Sequence, residues 1–339
     1  MILVTGGSGL VGSHLLFQLS KTQNEVLAIK RENSDLSVIK KIFNFYDIEN
    51  GETLFEKIKW LDADVTDIFS LLKAFEGVEK VYHCAAVVSF NPSDIASMIE
   101  INVNGTANVV NACIEKGVKK LIHCSSIAAI GKPNTGNYID ESIIWKTSPR
   151  NSNYAISKFG AEREVWRGIE EGLNAAIVNP SVIIGPGDPS RSSGQLYRQI
   201  QKGLKFYTTG ITGFVDVRDV SAAMILLMES DINSQRFILN SENLQYKLIF
   251  DMLAKEIGVK PPSIKAGKFL TQIAWRLEKV RSVFSGKKPL ITKETVRNAA
   301  NVSYYSNKKI IEKTGYSFIP INDAIKNTCR FYEKYLIEL

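Results

Sequence analysis

Tyr154 and Lys158 stand four residues apart in the stretch SNYAISKFGAE, residues 152–162, whose pattern predicts the first turns of a helix. Residues at this spacing share one helical face, so the phenol and the ammonium can meet. A phenol ordinarily has a pKa near 10, and a neighbouring positive charge favours its deprotonated form. The pair is either an ordinary solvated helix pair or a proton-transfer device, and its spacing alone does not decide between them.

A glycine-rich loop, TGGSGLVGSH at residues 5–14, follows an apolar strand and opens a helix. Gly6 permits a tight turn, Gly9 lets the backbone approach a pyrophosphate, and Gly12 allows close packing of helix and strand. A plain glycine turn is the alternative, but strand, glycines and helix together favour a dinucleotide site at the helix N-terminus. The residues assigned to it are Gly6, Ser8, Gly9, Leu10, Val11 and Gly12.

The end of the second predicted strand indicates which dinucleotide is preferred. NAD-selective sites hold the ribose hydroxyls with a carboxylate about twenty residues after the loop. Here the sequence has Lys30 and Arg31, and a cation suits a 2′-phosphate. We therefore expect NADP, with Arg31 as the better contact because its planar fork matches phosphate. Glu32 leaves NAD open, since a shifted loop would bring its carboxylate to the ribose.

Short apolar runs alternate with helix-like segments through the first 180 residues. This pattern predicts a doubly wound α/β fold with a parallel sheet, known as the Rossmann fold. The predicted strands are residues 2–5, 26–30, 58–63, 80–85, 120–125 and 174–179. Between residues 31 and 57 we expect one helix followed by a polar turn at Glu49 to Glu52.

Beyond Pro180 the pattern changes to turn formers and short helices, near residues 195–202 and 220–228. We expect two domains: a dinucleotide-binding domain at 1–180 and a smaller, mixed substrate-binding lobe at 181–339 that interleaves with it. Asp219 is predicted to cap the following helix. Four aromatic residues suit either an apolar ligand or the core: Phe90, Tyr197, Phe206 and Phe214.

Composition and charge exclude several protein classes. The chain has 339 residues and a net charge of +7, and residues 247–339 hold 18 Lys or Arg against 8 Asp or Glu. Within this basic part, residues 268–288 are predicted to form an amphipathic helix, which favours core packing over contact with a membrane surface. No basic and aromatic surface motif typical of nucleic-acid binding is recognisable.

The cysteines and the start of the chain indicate where the protein works. The four cysteines lack metal-ligand spacing, and most lie in apolar segments, so we expect reduced thiols, no disulfide framework and no metal. The first strand begins almost at Met1, and no apolar run has the length of a membrane span. We expect a cytoplasmic protein.

With a dinucleotide assigned, the chain resembles the extended short-chain dehydrogenase/reductase family over nearly its full length. The motifs that carry the resemblance are the TGGSGLVG loop, DADV (62–65), HCAAVVSF (83–90), INVNGTANVV (101–110), HCSSIAAIG (123–131), YAISK (154–158) and NPSVIIGPGD (179–188). It is most similar to the branch of dihydroflavonol reductases and hydroxysteroid dehydrogenases.

The resemblance implies roles for individual residues. Tyr154 would be the general acid/base, and Lys158, together with the charge of the oxidised nicotinamide, would lower the pKa of the phenol. Lys158 would also bind the nicotinamide ribose. Ser126 would bind the substrate oxygen, whereas Ser125 is expected to cap the strand end. Asn102 is expected to organise the central helix without a catalytic step. The remaining cofactor contacts implied are Asp64 and Val65 at the adenine, Ala85, Ala86 and Val87 along the dinucleotide, and Pro180, Ser181, Val182 and Ile183 at the nicotinamide amide.

Three functions compete. The first is an NADP-dependent reductase or dehydrogenase of a small, fairly apolar carbonyl or alcohol; the second is a nucleotide-sugar epimerase or dehydratase with bound NAD(P); the third is a non-catalytic dinucleotide-binding regulator. The nucleotide-sugar members of the family usually carry Arg and Asn where this chain has Asn179 and Val182, which favours the reductase. Family members occur as monomers and as homodimers, so both states stay open.

Overall fold

A computed structural model describes residues 1–23, 25–133, 136, 138–149, 151–191, 194–267, 275, 276, 278, 281 and 292–336. The helix predicted at 268–288 lies outside the described residues except for four isolated positions. The membrane-surface alternative attached to that helix therefore lies outside them as well.

The amino-terminal half of the chain alternates strands and helices. Its elements in chain order are β1 (Ile2–Thr5), α1 (Leu10–Thr22), β2 (Val26–Lys30), α2 (Ser37–Tyr46), α3 (Gly51–Glu56), β3 (Ile58–Asp62), α4 (Ile68–Ala74), β4 (Lys80–His83), α5 (Ile95–Met98), α6 (Gly105–Glu115), β5 (Lys120–Cys124), β6 (Tyr138–Ile139) and α7 (Asn153–Glu170). A π-helical segment, Ile99–Asn104, joins α5 to α6, and 3-10 turns cover Pro92–Asp94 and Ile127–Ala129.

The carboxyl-terminal half adds shorter strands and more helices. Its elements are β7 (Ala175–Pro180), β8 (Val182–Ile184), α8 (Gly194–Gln201), β9 (Phe206–Tyr207), β10 (Ile211–Asp216), α9 (Val217–Glu229), β11 (Gln235–Leu239), β12 (Glu242–Gln245), α10 (Tyr246–Ile257), β13 (Ile264–Lys265), α11 (Lys293–Ala300), β14 (Tyr304–Tyr305), α12 (Lys308–Thr314) and α13 (Ile321–Leu336).

Within the described residues, seven strands form one parallel sheet in the order β11-β7-β5-β4-β1-β2-β3. Adjacent residues of one strand face opposite sides of this sheet. Leu3 of β1 packs in the cluster that contains Val165 of α7, while Val4 packs in the cluster that contains Leu16 of α1 and Met224 of α9. Both faces are covered by helices, which explains the continuous apolar strands. The predicted doubly wound α/β fold is confirmed.

The connection between β2 and β3 differs from its prediction. It contains two helices, α2 and α3, rather than one helix and a polar turn. The turn lies at 47–50, where Asp47 accepts hydrogen bonds from both the backbone and the side chain of Asn50. Leu54 and Phe55 of α3 are buried in the core. Burial of these two side chains stabilises a second helix that its six residues could not form alone.

The segment after residue 180 contributes to both layers of the molecule. β11 and α9 pack into the main sheet and its helical layer, although they lie beyond residue 180 in the chain. The rest forms a mixed three-stranded sheet, β12-β10-β8, a two-stranded ladder of β13 and β9, and a separate apolar cluster of α8, α10 and α13. A second two-stranded ladder pairs β14 with β6 of the amino-terminal half. Tyr197 and Phe214 lie buried in that cluster, so they are core residues, whereas Phe206 is exposed.

A buried hydrogen-bond chain ties the glycine-loop helix to the last helix. His14 of α1 donates from Nδ1 to the Leu10 carbonyl at 2.9 Å, and its Nε2 accepts from the Tyr46 hydroxyl at 3.2 Å. Asn327 of α13 donates to the same hydroxyl at 2.9 Å. Burial lowers the pKa of His14 to about 4, which keeps the ring neutral and fits this tautomer. The position of α1 is therefore coupled to that of α13.

No helix among the described residues is both long enough and apolar enough to cross a membrane.

Candidate functional site

The glycine loop is held at the carboxyl end of β1 by contacts that exclude side chains. Gly6 has φ +68°, and a Cβ there would lie 2.5 Å from the Ala85 backbone nitrogen. A Cβ on Gly12 would lie 2.2 Å from the Gly6 carbonyl oxygen. Neither distance is tolerated by real side chains, so these two positions require glycine. Loop, first helix and the segment after β4 are in direct backbone contact.

The first turn of α1 presents free backbone donors at the edge of this loop. Gly9 is the N-cap and makes no side-chain cap hydrogen bond, because glycine has no side chain to accept one. The Gly9 nitrogen is bonded to Gly6 at 2.9 Å, and Ser8 and Gly9 are exposed. The N–H groups that follow, at Leu10 and Val11, are those a helix leaves without intrahelical acceptors. A glycine cradle with outward donors fits a pyrophosphate.

At the end of β2, Lys30 and Arg31 lie in different surroundings. Lys30 is paired with Asp62 of β3, with Nζ 2.5 Å from Oδ1. Arg31 and Glu32 are both exposed, and within the described part of the chain no hydrogen bond or ion pair engages the Arg31 guanidinium. The sequence reasoning missed Asp62, which neutralises Lys30. Of the two cations, Arg31 is the one open to an anionic ligand.

Asp64 and Val65 follow β3 and are fixed by local bonds. Oδ1 of Asp64 accepts from the Thr66 nitrogen at 2.9 Å and from the Thr66 hydroxyl at 2.8 Å. Val65 is buried against Gly105, and its carbonyl accepts from the Asn108 side chain at 2.9 Å. A Cβ on Gly105 would come within 2.7 Å of Val65, so the start of α6 must be small here.

The segment after β4, Ala85 to Val87, is clamped by Asn102. The Val87 nitrogen donates to Asn102 Oδ1 at 2.7 Å, and the Val87 carbonyl accepts from Nδ2 at 2.9 Å. Nδ2 also donates to Ser157 Oγ at 3.0 Å, while Ala86 is exposed. Asn102 lies in the π-helical segment and is buried. Asn102 links the segment after β4 to α7, in agreement with the organising role expected from the sequence.

A buried histidine supports the same segment, and the sequence reasoning assigned it nothing. His83 accepts from the Thr5 hydroxyl on Nδ1 at 2.7 Å and donates from Nε2 to Thr106 at 2.9 Å. The Thr106 hydroxyl donates to the Asn102 carbonyl at 2.6 Å, which fixes this assignment of protons. Burial lowers the pKa of His83 to about 3, so the ring is neutral. The sequence signal for this role was a histidine at the end of a predicted strand, with one threonine in the glycine loop and another in the INVNGTANVV motif.

Tyr154 lies in the first turn of α7, one helical turn before Lys158. Ser152 is the N-cap of α7, and its hydroxyl accepts from the Ala155 nitrogen at 2.9 Å. The phenol is half-buried, its ring lies edge-on to the Phe90 ring with 5.8 Å between centroids, and the Ser126 hydroxyl is its polar neighbour. Lys158 is buried, and its Nζ donates to the Cys124 carbonyl at 2.9 Å. The fold therefore brings Ser126, Tyr154 and Lys158 together at the carboxyl end of β5.

Among the chain's own groups, burial has the largest effect on the pKa of Tyr154. It raises this pKa to about 12, and the neighbouring Ser126 hydroxyl opposes the rise. The Lys158 ammonium is directed to the Cys124 carbonyl and is not among the groups that shift the Tyr154 pKa. Burial likewise lowers the pKa of Lys158. The lowering expected from Lys158 together with an oxidised nicotinamide stays a prediction.

Two predicted capping roles are corrected by the hydrogen bonds. Ser125 does not cap the strand end; its hydroxyl donates to the buried Glu162 carboxylate at 2.8 Å. Ser126 caps the following 3-10 turn by accepting from the Ala128 nitrogen at 3.1 Å. Asp219 is not the cap of α9 either, because that position is held by Asp216, which accepts from the Arg218 nitrogen at 2.7 Å.

The four residues from Pro180 to Ile183 join β7 to β8 beside the triad. Pro180 ends β7, and the Ser181 nitrogen donates to the Leu239 carbonyl at 2.9 Å. Val182 and Ile183 are half-buried in β8. The Ser181 hydroxyl is buried without a hydrogen-bond partner among the described residues. A buried hydroxyl in this state fits a site completed by a polar ligand.

Comparisons with known proteins agree with this geometry. The model of the NAD dependent epimerase/dehydratase family matches residues 2–239. A dihydroflavonol 4-reductase-like protein of Synechocystis sp. is 28% identical over 340 residues, which cover 98% of this chain and 94% of the relative. Cinnamoyl-CoA reductase 1 of Petunia hybrida is also 28% identical, over 80% of this chain and 85% of its own.

Solved structures share the fold along the whole chain. The crystal structure of gox2253 has a TM-score of 0.79 and 29% identity, and covers 99% of this chain and 98% of its own. UDP-glucose 4-epimerase of Thermotoga maritima, with UDP-glucose, has a TM-score of 0.77 at 21% identity and covers 99% of both chains. The second likeness shows the fold alone. Because the family match spans well over half of the sequence, the chain belongs to the NAD dependent epimerase/dehydratase family, and it is an NAD(P)-dependent oxidoreductase of the extended short-chain dehydrogenase/reductase type.

Proposed function

We propose that this protein is an NADP-dependent reductase or dehydrogenase that interconverts a carbonyl and an alcohol, with Tyr154 as general acid/base. The observation that carries the proposal is the joint position of Ser126, Tyr154 and Lys158. The Ser126 hydroxyl neighbours the Tyr154 phenol, and the buried Lys158 ammonium lies one helical turn further along α7. A carbonyl oxygen beside the two hydroxyls would meet a proton donor and a hydrogen-bond donor together.

The protonation state of the triad suits reduction. Because burial raises the pKa of Tyr154, the phenol carries its proton at neutral pH and can donate it to the developing alkoxide. Ser126 would stabilise that developing charge by a hydrogen bond. In the reverse direction Tyr154 must lose its proton to serve as base, and the positive charge of an oxidised nicotinamide beside it would favour that form.

The residues of this chain fit a nicotinamide dinucleotide, which when bound would supply or accept the hydride. The glycine loop and the donors of α1 would hold the pyrophosphate, and Lys158 would bind the nicotinamide ribose. Asp64 and Val65 would flank the adenine, and Ser181 would bond the nicotinamide amide. The remaining wall would come from Ala85, Ala86 and Val87 with Pro180, Val182 and Ile183.

A preference for NADP is supported by Arg31. Its guanidinium is exposed at the end of β2, and the neighbouring Lys30 is already paired with Asp62. A 2′-phosphate would therefore be bound by the arginine fork rather than by both cations. Glu32 is exposed beside it and is the residue through which NAD would compete.

The substrate would bind between the dinucleotide-binding part, residues 1–180, and the smaller lobe, residues 181–339. Phe90 lies against the Tyr154 ring at 5.8 Å, which supplies an apolar wall next to the reacting hydroxyl. This contact favours a substrate with apolar surface near its carbonyl. Relatives that act on such compounds include cinnamoyl-CoA reductase 1 and tetraketide alpha-pyrone reductase 2, the latter 30% identical over 74% of this chain.

Epimerisation or dehydration of a nucleotide sugar is the second candidate, because residues 2–239 match the model of the NAD dependent epimerase/dehydratase family. Against it, Asn179 and Val182 stand where nucleotide-sugar members usually carry Arg and Asn. A binding-only regulator is the third candidate, but such a protein would not require the three grouped side chains.

One experiment separates the three candidates. The pure protein is incubated with NADPH and a panel of ketones, aldehydes and UDP-sugars, and the as-purified protein is assayed for retained dinucleotide. Oxidation of NADPH by a carbonyl supports the reductase. A retained dinucleotide with conversion of a UDP-sugar and no net oxidation refutes it in favour of the epimerase, and dinucleotide binding without any turnover leaves only the regulator.

A further inference from the structure

Glu162 lies one helical turn beyond Lys158 on α7, and its side chain is 2% exposed. Four donors surround its carboxylate. Oε2 accepts from Ser125 Oγ and from Asn179 Nδ2, both at 2.8 Å, while Oε1 accepts from Arg236 Nη1 at 3.0 Å and from Trp166 Nε1 at 3.4 Å. A buried carboxylate is tolerated only when it is paired and hydrogen-bonded in this way.

The donors of Glu162 hold the chain on either side of the catalytic serine. Ser125 immediately precedes Ser126, and its side chain is bonded to Glu162. Asn179 uses the same Nδ2 to donate to the Ser126 carbonyl at 3.0 Å. Ser125 and Asn179 therefore hold Ser126 on both sides, and both are bonded to the Glu162 carboxylate. A shift of Glu162 would move the Ser126 hydroxyl relative to Tyr154.

Arg236 supplies the positive charge for this buried carboxylate. It lies on β11, opposite Ile177 of β7, and its other nitrogens donate to the carbonyls of Glu141 at 2.8 and 3.2 Å and of Ile143 at 2.9 Å. Where nucleotide-sugar members of the family usually carry Arg, this chain has Asn179. The positive charge beside Glu162 therefore comes from Arg236 on β11. The Asn179 amide bonds both the Glu162 carboxylate and the Ser126 carbonyl.

The charge of Glu162 also acts on the catalytic lysine. Burial lowers the pKa of Lys158, and the negative charge of Glu162 is among the groups that oppose this lowering. Loss of that charge would make neighbouring protons, those of Lys158 included, easier to remove.

We propose that Glu162, held by Arg236, is a positioning residue that fixes Ser126 against Tyr154 and keeps Lys158 charged. The inference rests on the proposed reductase function. It assigns Glu162 no contact with substrate or cofactor; the residue acts through Ser125, Asn179 and Lys158.

The test compares Glu162→Gln with Glu164→Gln, a matched control two residues away whose carboxylate pairs with Arg167 at 2.9 Å and is partly exposed. For Glu162→Gln we expect kcat to fall by roughly tenfold to a hundredfold, the typical effect of displacing a reacting group by about 1 Å. The alkaline limb of the kcat pH profile should also move to lower pH, because a negative charge has been removed near Lys158. Glu162→Asp, which keeps the charge, should leave that limb in place. Glu164→Gln should change neither quantity.

A second variant keeps the proposal testable if Glu162→Gln does not fold. Ser125→Ala removes one hydrogen bond to the carboxylate without changing any charge, so it should lower kcat and leave the pH profile unmoved. Wild-type kcat in Ser125→Ala, or a pH profile of Glu162→Gln that matches Glu164→Gln, would overturn the proposal. Either result would leave the proposed function intact, since that function is tested separately, by the substrate panel and by the turnover of Tyr154→Phe.

Discussion

Tyr154 is the residue on which the proposed chemistry depends most directly. Tyr154→Phe keeps the ring against Phe90 and removes only the hydroxyl that neighbours Ser126. Since general acid catalysis typically contributes about 10²- to 10⁴-fold, we expect kcat to fall by roughly a hundredfold or more. Binding of NADPH, measured by fluorescence titration, should stay within about twofold of wild type, because the hydroxyl is not needed to hold the dinucleotide.

A matched control is Tyr138→Phe, which removes a hydroxyl from a 68% exposed ring in β6. We expect this variant to turn over like wild type. If Tyr154→Phe also turned over like wild type, the phenol would not be the proton donor.

The proposed preference for NADP depends on Arg31. Arg31→Leu removes an exposed guanidinium that no described residue engages, so the fold should be unaffected. A hydrogen bond to a charged group contributes about 1.5–3 kcal/mol, so the KM for NADPH should rise by roughly tenfold to a hundredfold. The KM for NADH should stay nearly constant, because NADH has no 2′-phosphate.

Arg163→Leu on the exposed face of α7 is the control for a general loss of positive charge. Equal effects of Arg31→Leu on NADPH and NADH, or a wild-type preference for NADH, would show that Arg31 does not read a 2′-phosphate.

At the scale of elements, the packing of the glycine loop against α1 determines the position of the proposed pyrophosphate site. Gly12→Ala would place a Cβ 2.2 Å from the Gly6 carbonyl oxygen and 2.9 Å from the Gly7 Cα. The helix must then move away from the loop, which should cost roughly 1–3 kcal/mol of stability and abolish most dinucleotide affinity. Thermal unfolding and NADPH titration measure the two effects.

Gly267→Ala is the control, because a Cβ there meets no atom of the described residues within 4 Å. It should unfold and bind as wild type does. A Gly12→Ala protein with unchanged affinity would mean that the loop does not bind the pyrophosphate at this contact.

Elements with a strong local signal were predictable from the sequence. Each predicted strand is present, and its ends lie within one or two residues of the predicted ones. Short apolar runs such as ILVT and VLAIK, buried on both faces, are typical of strands in a parallel sheet. α3 was missed because its six residues carry only two buried apolar side chains, Leu54 and Phe55, which become a helix signal only when α2 packs on them.

Side-chain partners that are distant in sequence were not predictable in this way. Ser125 and Glu162 are 37 residues apart, and Arg236 lies a further 74 residues on. Asp216 and Asp219 both suit a helix start, and only the contact of Asp219 with the segment before α13 separates their roles. The triad was found because the spacing of Tyr154 and Lys158 is local. Glu162 was missed because its partners Ser125, Asn179 and Arg236 lie on, or directly after, three different strands.

At the scale of the whole molecule, the last part of the chain returns to the first. β11 extends the main sheet, α13 contacts α2 through Asn327 and Tyr46, and Tyr46 contacts His14 at the start of α1. The smaller lobe is therefore not an independent attachment. A change in the packing of α13 would therefore be transmitted through Tyr46 and His14 to α1, the helix proposed to bind the pyrophosphate.

One of these docking contacts should make stability depend on pH. Asp219 in α9 accepts from the Tyr316 hydroxyl at 2.9 Å and from the Ile319 nitrogen at 3.0 Å, just before α13. Burial raises the pKa of Asp219 to about 6, above its ordinary value near 4. The folded state then binds this proton more tightly than the unfolded state does. Its contribution to stability is complete below about pH 4 and is lost as pH rises through 6, a change of at most about 3 kcal/mol.

Asp219→Asn cannot titrate, so the difference in unfolding free energy between wild type and this variant should change across that window. Urea unfolding at pH 4.5 and pH 7.5 should show wild type losing stability relative to the variant at the higher pH. Asp231→Asn, an exposed change just after the end of the same helix, should show no such trend. A constant difference between wild type and Asp219→Asn at the two pH values would mean that the carboxyl is not held in its protonated form, and that the α9 contact does not couple proton binding to docking of the carboxyl-terminal helix.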